Sequence, residues 1–258
     1  MESAGSDDPA ERFTGLAEAY AAHRPSYPAE AIDFVVAHCG LRPRAAAADV
    51  GCGTGISTRL FAQRGLSVVG VEPNDEMRRR AEETPCPAGA VEPVYRAGRG
   101  ESTGLDDRSM DAVICAQAFH WLRPREALAE FHRILKPGGW TALIWNERDE
   151  SDAFTRLFGD VIRTAPDARL QESRRAAAGR ALFESNLFRD CERRAFPSFQ
   201  TVDLPGLLGR AFSASYAPKD VDGREAWRAS LRRLFETRPE KGRVRIVYET
   251  SVYVGRRA

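Results

Sequence analysis

The sequence predicts an α/β fold in which helices cross over a mostly parallel sheet. Two observations carry that expectation. Short runs of small and β-branched residues alternate with helical stripes as far as Trp145, and a glycine-rich turn, Asp49-Val50-Gly51-Cys52-Gly53-Thr54-Gly55, joins the first such run to a helix. No internal repeat interrupts this order, and 258 residues suffice for one large domain with a substantial core.

Phe13, Leu16, Ala17 and Tyr20 recur at i, i+3, i+4 and i+7, as do Ile32, Val35, Val36 and Cys39 after Pro28, so two amphipathic helices are expected. Between them, His23-Arg24-Pro25-Ser26-Tyr27-Pro28 carries two prolines that hold the backbone extended. Ala45–Val50 reads as a buried strand, Ile56–Arg64 as a helix and Ser67–Glu72 as a second strand. Met77 lies on a helix that Pro85 and Pro87 end; Val91–Ala97 and Asp111–Ala116 are further strands. Leu128, Phe131 and Leu135 share one face of a helix over Arg125–Leu135, which Lys136-Pro137-Gly138-Gly139 closes before a fifth strand, Trp140–Trp145.

From Asn146 the rhythm changes. An Arg- and Ala-rich stretch to about Arg189, with a stripe at Phe154, Leu157, Phe158 and Val161, has no place in strand–helix alternation and is expected to form a cap. A strand over Cys191–Phe196, a helix carrying Trp227, Leu231, Leu234 and Phe235, and a strand over Arg243–Val254, placed at the sheet edge, complete the chain.

Composition narrows the function classes. Lys+Arg at 38 against Asp+Glu at 37 leaves a net charge of +1, which supplies no broad field for nucleic acid or an anionic membrane. The five cysteines are scattered without a C-x-x-C pair, so a reduced, cytoplasmic setting and no metal site are expected. Met1–Pro9 is polar and acidic where a secretory leader needs a basic and then an apolar stretch, and no run is long and apolar enough to span a membrane.

The glycine-rich turn lets the backbone approach a ligand, and the helix that follows favours negative charge at its first amides. Glu72 ends the next strand 21 residues after Gly51, where its carboxylate can accept from both hydroxyls of a ribose. Together they describe an adenosine-type ligand across the carboxyl ends of the strands. The third glycine of the dinucleotide pattern is replaced by Ile56, which favours a compact ligand without a pyrophosphate over NAD.

These residues, with Gly70-Val71-Glu72-Pro73-Asn74 and Met77, Gly98-Arg99-Gly100-Glu101, Asp111-Ala112-Val113 and Lys136-Pro137-Gly138-Gly139, resemble a class I S-adenosylmethionine-dependent methyltransferase of the type 11 branch. The likeness is close over Phe13–Arg148 and looser beyond. Tyr20, Arg24-Pro25-Ser26-Tyr27-Pro28 and Ala116-Gln117-Ala118-Phe119-His120-Trp121 are similar to the branch that includes trans-aconitate methyltransferases. The resemblance implies a seven-stranded, Rossmann-like, doubly wound sheet, mostly parallel, with its last strand inserted antiparallel. It also implies one domain over 1–258: a lid helix and connector at 10–27, a cofactor core at 28–146, a helical substrate cap at 147–189 and closing elements at 190–258.

The same resemblance places Asp49 and Gly51 at the cofactor's amino acid moiety, Glu72 at the ribose, Met77 on the adenine face, Gly100 and Glu101 at the ring edge and Gln117 at the methionine end, with Gly53, Tyr20 and Arg24 as further cofactor-binding candidates. Arg99 stands where many relatives have Asp or Thr, and arginine cannot accept from the adenine amino group. Tyr20 and Arg24 would close over the methyl, Arg24 favouring an anionic acceptor, or else Tyr20 simply packs in its helix stripe with Arg24 solvated or in an ordinary ion pair.

The expected reaction is methyl transfer to a small molecule, on oxygen (carboxylate or hydroxyl) ahead of nitrogen or carbon, leaving S-adenosylhomocysteine. It requires alignment and exclusion of water; a base is needed only if the acceptor arrives protonated. His120 is the candidate base, with packing on Trp121 as the alternative reading. Tyr27, Trp121 and Trp145 are candidate acceptor walls. A monomer or homodimer is expected. The rivals are an NAD-dependent oxidoreductase, a methyltransferase of RNA or protein, and a protein that binds the cofactor without methylating.

Overall fold

In the computed structural model, which describes Glu11 and residues 13–165, 167–237 and 240–258, the chain folds around one seven-stranded sheet. Met1–Pro9 and Ala10, the first residue of the expected lid, lie outside the described residues. The strands are β1 (Ala46–Val50), β2 (Ser67–Val71), β3 (Val94–Arg96), β4 (Met110–Ala116), β5 (Leu135–Arg148), β6 (Phe188–Val202) and β7 (Val244–Arg257), in the order β3-β2-β1-β4-β5-β7-β6. Pairs from β3 to β5 are parallel, and β7 runs antiparallel to both β5 and β6.

The period of two along each strand divides the core. Ala47 and Ile114 pack with Ile32 and Val35 of a helix over Ala29–His38, and with Phe61 of another over Ile56–Ala62. Ala48, Val50, Val113 and Cys115 face the other way, onto Phe119 and Phe131. Numbering the helices in chain order, α1 is Ala17–His23, α2 and α3 are the two just named, α4 is Asp75–Glu83 and α5 is Pro124–Ile134. Each fully buried Phe or Ile here stabilises the fold by about 1.5–3 kcal/mol. Across the lower edge, Asp111 accepts from the Ala46 amide and from Lys136 Nζ, both at 2.8 Å, which ties β1, β4 and the start of β5 together.

Several expected boundaries move, each for a local reason. The first helical stripe is cut short: Phe13 lies in a turn and α1 begins at Ala17. Val91–Ala97 contracts to the three residues of β3. The glycines after α5 do not cap it, because the amides of Arg108 and Ser109 satisfy the carbonyls of Arg133 and Ile134 at 2.9 Å each. Leu135 can therefore turn extended at once, and Lys136-Pro137-Gly138-Gly139 enter β5 at an irregular register against β4.

The strand expected at the sheet edge on residue pattern alone lies inside it, as the family resemblance implied. β7 carries fully buried Val252 and Val254 between two neighbours. The edge belongs to β6, longer than the expected Cys191–Phe196, mostly exposed, arginine-rich and bearing Pro197, features that discourage further strand pairing.

Between β5 and β6 stand α6 (Ala153–Ile162), α7 (Ala168–Ala178) and α8 (Arg180–Glu184). A helix missed in the sequence, α9 (Leu204–Phe212), starts where Asp203 accepts from the Gly206 amide at 2.8 Å, and α10 (Val221–Thr237) follows. Phe154, Phe158, Leu207, Trp227 and Leu231 form a third cluster against Ile246 and Tyr248 of β7. Two packings reach the end of the sheet where the site lies: α7 against the 3-10 turn Phe119–Trp121, and α9 against α1.

Candidate active site

At the carboxyl ends of β1, β2 and β4 two adjoining cavities open. The shared walls are Phe13, Tyr20, Gly51, Ala116, Gln117 and Trp121. They form one cleft with two ends.

The first end is built by the glycine-rich turn and β2. Gly51 has φ +71°, and a Cβ there would stand 2.5 Å from that of Ala118, so both the backbone shape and the contact require glycine. Glu72, only 7% exposed, lines the wall while its two oxygens accept from the amides of Gly53 and Asn74, each at 2.9 Å. Burial raises its pKa, and those two donors oppose the rise. The Asn74 side chain accepts from the Met77 amide, capping α4 and placing Met77 in the same wall. Arg99, Gly100 and Glu101 face it across the space, Glu101 held by the Arg123 amide at 2.8 Å.

Asp49 lies fully buried below this end rather than in its wall. One carboxylate oxygen accepts from Ser57 and Thr58 at 2.7 and 2.6 Å; the other, Oδ1, is buried without a partner. Burial lifts its pKa to about 6, against the pull of the two hydroxyl donors. Gln117 sits at φ +56°, with its amide donating to the Ile144 carbonyl at 2.8 Å and its side chain to the Asn146 carbonyl at 3.1 Å. A non-glycine residue held in this region is strained and is kept there by its surroundings.

The second end gathers Arg24, Tyr27 and His120, as the sequence suggested, and adds three residues it did not: Asn146, Arg175 and Arg210. Asn146 donates to the Ser26 carbonyl and accepts from Thr250, pinning the proline-rich connector to the sheet. Arg210 projects from α9, a helix the sequence reading lacked, and the flanking Leu207 and Ala211 are the signal that would have revealed its buried face. Trp145, expected as an aromatic wall, is instead a core residue, 1% exposed and lining neither cavity, because it lies on the strand face that meets the Phe119 and Phe131 cluster. Its Nε1 donates to His120 Nδ1 at 3.3 Å, and Arg175 Nε approaches His120 Nε2 at 3.4 Å. His120 also packs on Trp121 with ring centroids 4.9 Å apart. Burial, with Arg175, Arg24 and Arg174 beside it, holds the imidazole pKa well below its ordinary value.

Residues 48–143 match the family model described as a methyltransferase domain, a span that begins just before the glycine-rich turn and ends in β5. Residues 48–143 thus carry a methyltransferase domain, and the strand order is that of the class I S-adenosylmethionine-dependent methyltransferase fold. It is 41% identical over 150 residues to an uncharacterized methyltransferase of Mycobacterium bovis, and this matched stretch spans 58% of either protein. An uncharacterized methyltransferase-like protein of Schizosaccharomyces pombe is 29% identical over 91% of both chains. Among solved structures, a proposed type II methyltransferase from Anaeromyxobacter dehalogenans superposes with a TM-score of 0.62 at 22% identity, over 90% of this chain and 97% of that one, which shows a shared fold.

The cofactor this methyltransferase fold implies is S-adenosylmethionine, and the residues present fit it. The cleft offers a buried carboxylate at the end of β2 for ribose hydroxyls and a backbone surface at Gly51 that a Cβ would fill, and beneath it Asp49 keeps one buried oxygen without a partner. Among the described residues no group of three or more His, Cys, Asp or Glu is placed to hold a metal, and no helix is long and apolar enough to cross a membrane.

Proposed function

We propose that this protein transfers the methyl group of S-adenosylmethionine to an oxygen of a small-molecule acceptor. The observation that carries the reading is the two-ended cleft: a nucleoside-type end around Glu72 and an acceptor end around Arg24, meeting at Gly51, Tyr20 and Gln117. S-adenosylmethionine supplies an already activated methyl, so the protein need only align and enclose. Glu72 holds the ribose, Met77 and Gly100 flank the adenine, Glu101 lies at its edge, and Asp49, Gly51, Gly53 and Gln117 attend the amino acid end. Tyr20, Arg24, Tyr27 and Trp121 surround the acceptor and exclude water. Residues 28–146 then form the cofactor core, with 10–27 and 147–189 as the enclosing lid and cap and 190–258 completing the sheet.

Oxygen is favoured because the acceptor end is cationic, which suits an anionic acceptor, and because its histidine is hard to protonate and so a weak base, which suits a group that arrives ionised. The balanced net charge supports a small acceptor over nucleic acid, and we place the reaction in the cytoplasm, in a monomer or homodimer. The test is incubation with methyl-labelled cofactor and a panel of small carboxylates and phenols, followed by product analysis. Label in an ester or ether, with S-adenosylhomocysteine formed one for one, supports the reading. Label on nitrogen or carbon corrects the acceptor atom; binding without any transfer rejects the catalytic role.

A further inference from the structure

We infer that Arg24, Arg175 and Arg210 form a subsite for an anionic handle of the acceptor, a phosphate or carboxylate group distinct from the atom that is methylated, and that His120 donates to that group rather than serving as a base.

Three guanidinium groups from three different elements line one cavity: Arg24 follows α1, Arg175 lies on α7 and Arg210 on α9. Among the described residues no aspartate or glutamate lines it, and none of the three arginines has a carboxylate within ion-pair distance. Arginines nearby are treated differently. Arg148 pairs with Glu172 and Glu150, and Arg163 with Glu150 at 2.6 Å. Arg210 is 7% exposed and donates to the Tyr248 hydroxyl at 3.0 Å; Arg24 donates to the Ser213 carbonyl at 3.2 Å, leaving its Nε buried without a partner. Uncompensated like charges sharing a water-poor space are costly unless an anion joins them. Their field is felt by a neighbour: burial would raise the Tyr216 phenol, yet Arg175, Arg210, Arg24 and Arg148 hold it down at about 8.

The histidine supplies an independent observation. Neutral imidazole has one accepting and one donating nitrogen. Trp145 Nε1 can only donate, and in its buried position it takes the lone pair of His120 Nδ1, which leaves the hydrogen on Nε2. Arg175 Nε is itself aimed as a donor at that nitrogen, 3.4 Å away, so of the two donors facing the ring only one finds a lone pair. Two opposed donors at this separation are satisfied together by an acceptor that both can reach, and an anionic oxygen supplies the strongest such bonds.

The subsite is defined by protein groups alone, while its assignment to an acceptor rests on the methyltransferase reading. The experiment is calorimetric titration of the full chain at low ionic strength with inorganic phosphate, with malonate and separately with S-adenosylhomocysteine, on wild type, Arg175→Gln and Arg210→Gln. One saturable anion site, weakened at least tenfold in each variant while S-adenosylhomocysteine binding is retained, is expected. Preference for phosphate or for malonate identifies the handle. Arg175 is less buried than Arg210, so Arg175→Gln carries the test if the Arg210 variant fails to fold. Failure of wild type to bind either anion, or unchanged affinity in folded Arg175→Gln, overturns the subsite. Anion binding without S-adenosylhomocysteine binding leaves the subsite standing and overturns the methyltransferase reading instead.

Discussion

Trp145 and His120 are joined inside the molecule: the indole Nε1 donates to the imidazole Nδ1 at 3.3 Å, from a ring that is 1% exposed. A residue that resembled an acceptor wall in the sequence thus sets the hydrogen placement of the one that resembled a base. In wild type, nitrogen-15 NMR is expected to find His120 neutral between pH 6 and 8, with Nδ1 unprotonated and Nε2 bearing the hydrogen. Trp145→Phe removes the donor and mixes the two tautomers. An Nδ1–H signal in wild type would disprove the arrangement.

Glu72 does two things at once, so its removal has two readouts. Its carboxylate accepts from the Gly53 and Asn74 amides as well as facing the cleft. Glu72→Ala is expected to weaken S-adenosylhomocysteine at least 100-fold, the loss of two charge-assisted hydrogen bonds at about 1.5–3 kcal/mol each. It should also lower Tm by several degrees through the two orphaned amides. Calorimetry and thermal unfolding on the same samples check both, and undiminished affinity in the folded variant would remove Glu72 from the site.

The proposed contact of Asp49 with the cofactor's amino group predicts a cofactor affinity that depends on pH. With its pKa raised to about 6, the folded protein takes up a proton there as pH falls, whereas an ordinary Asp would not until about pH 4. An ammonium group favours the ionised carboxylate, so S-adenosylhomocysteine affinity should be flat above pH 7 and fall toward tenfold per unit below 6. Glu72, also raised, adds to the same trend. Asp49→Asn separates them: its affinity should be low at pH 7 and lack the Asp49 part of the slope. A flat wild-type profile from pH 7.5 to 5 would count against the contact.

Gly51→Ala tests the turn by shape alone. The added methyl meets Ala118 and is forced onto a φ of +71°. Gly89→Ala is the matched control, with φ +83° and open space around it. The control should lose about 1 kcal/mol of stability, the ordinary cost of that backbone region, and keep full S-adenosylhomocysteine affinity. Gly51→Ala should lose more stability and most of its binding; equal behaviour of the two variants would show that the approach of Ala118 is unimportant.

The sequence by itself determined what is local. Asp49 to Gly55 and Glu72 stand at fixed spacings around one strand–turn–helix–strand unit, and backbone sterics and alternating burial dictate that unit within some thirty residues. The parallel sheet and the nucleoside end of the cleft were therefore legible. What only the tertiary structure decided is whatever depends on distant segments meeting: the amides of Arg108 and Ser109 ending α5 in place of a glycine cap, and Arg24, Arg175 and Arg210 converging from the end of α1, from α7 and from α9. Arg175 and Arg210 were two among 35 arginines in the sequence, indistinguishable from surface charge until packing brought them together without a carboxylate. The acceptor end is made by long-range contacts, which no short-range pattern encodes.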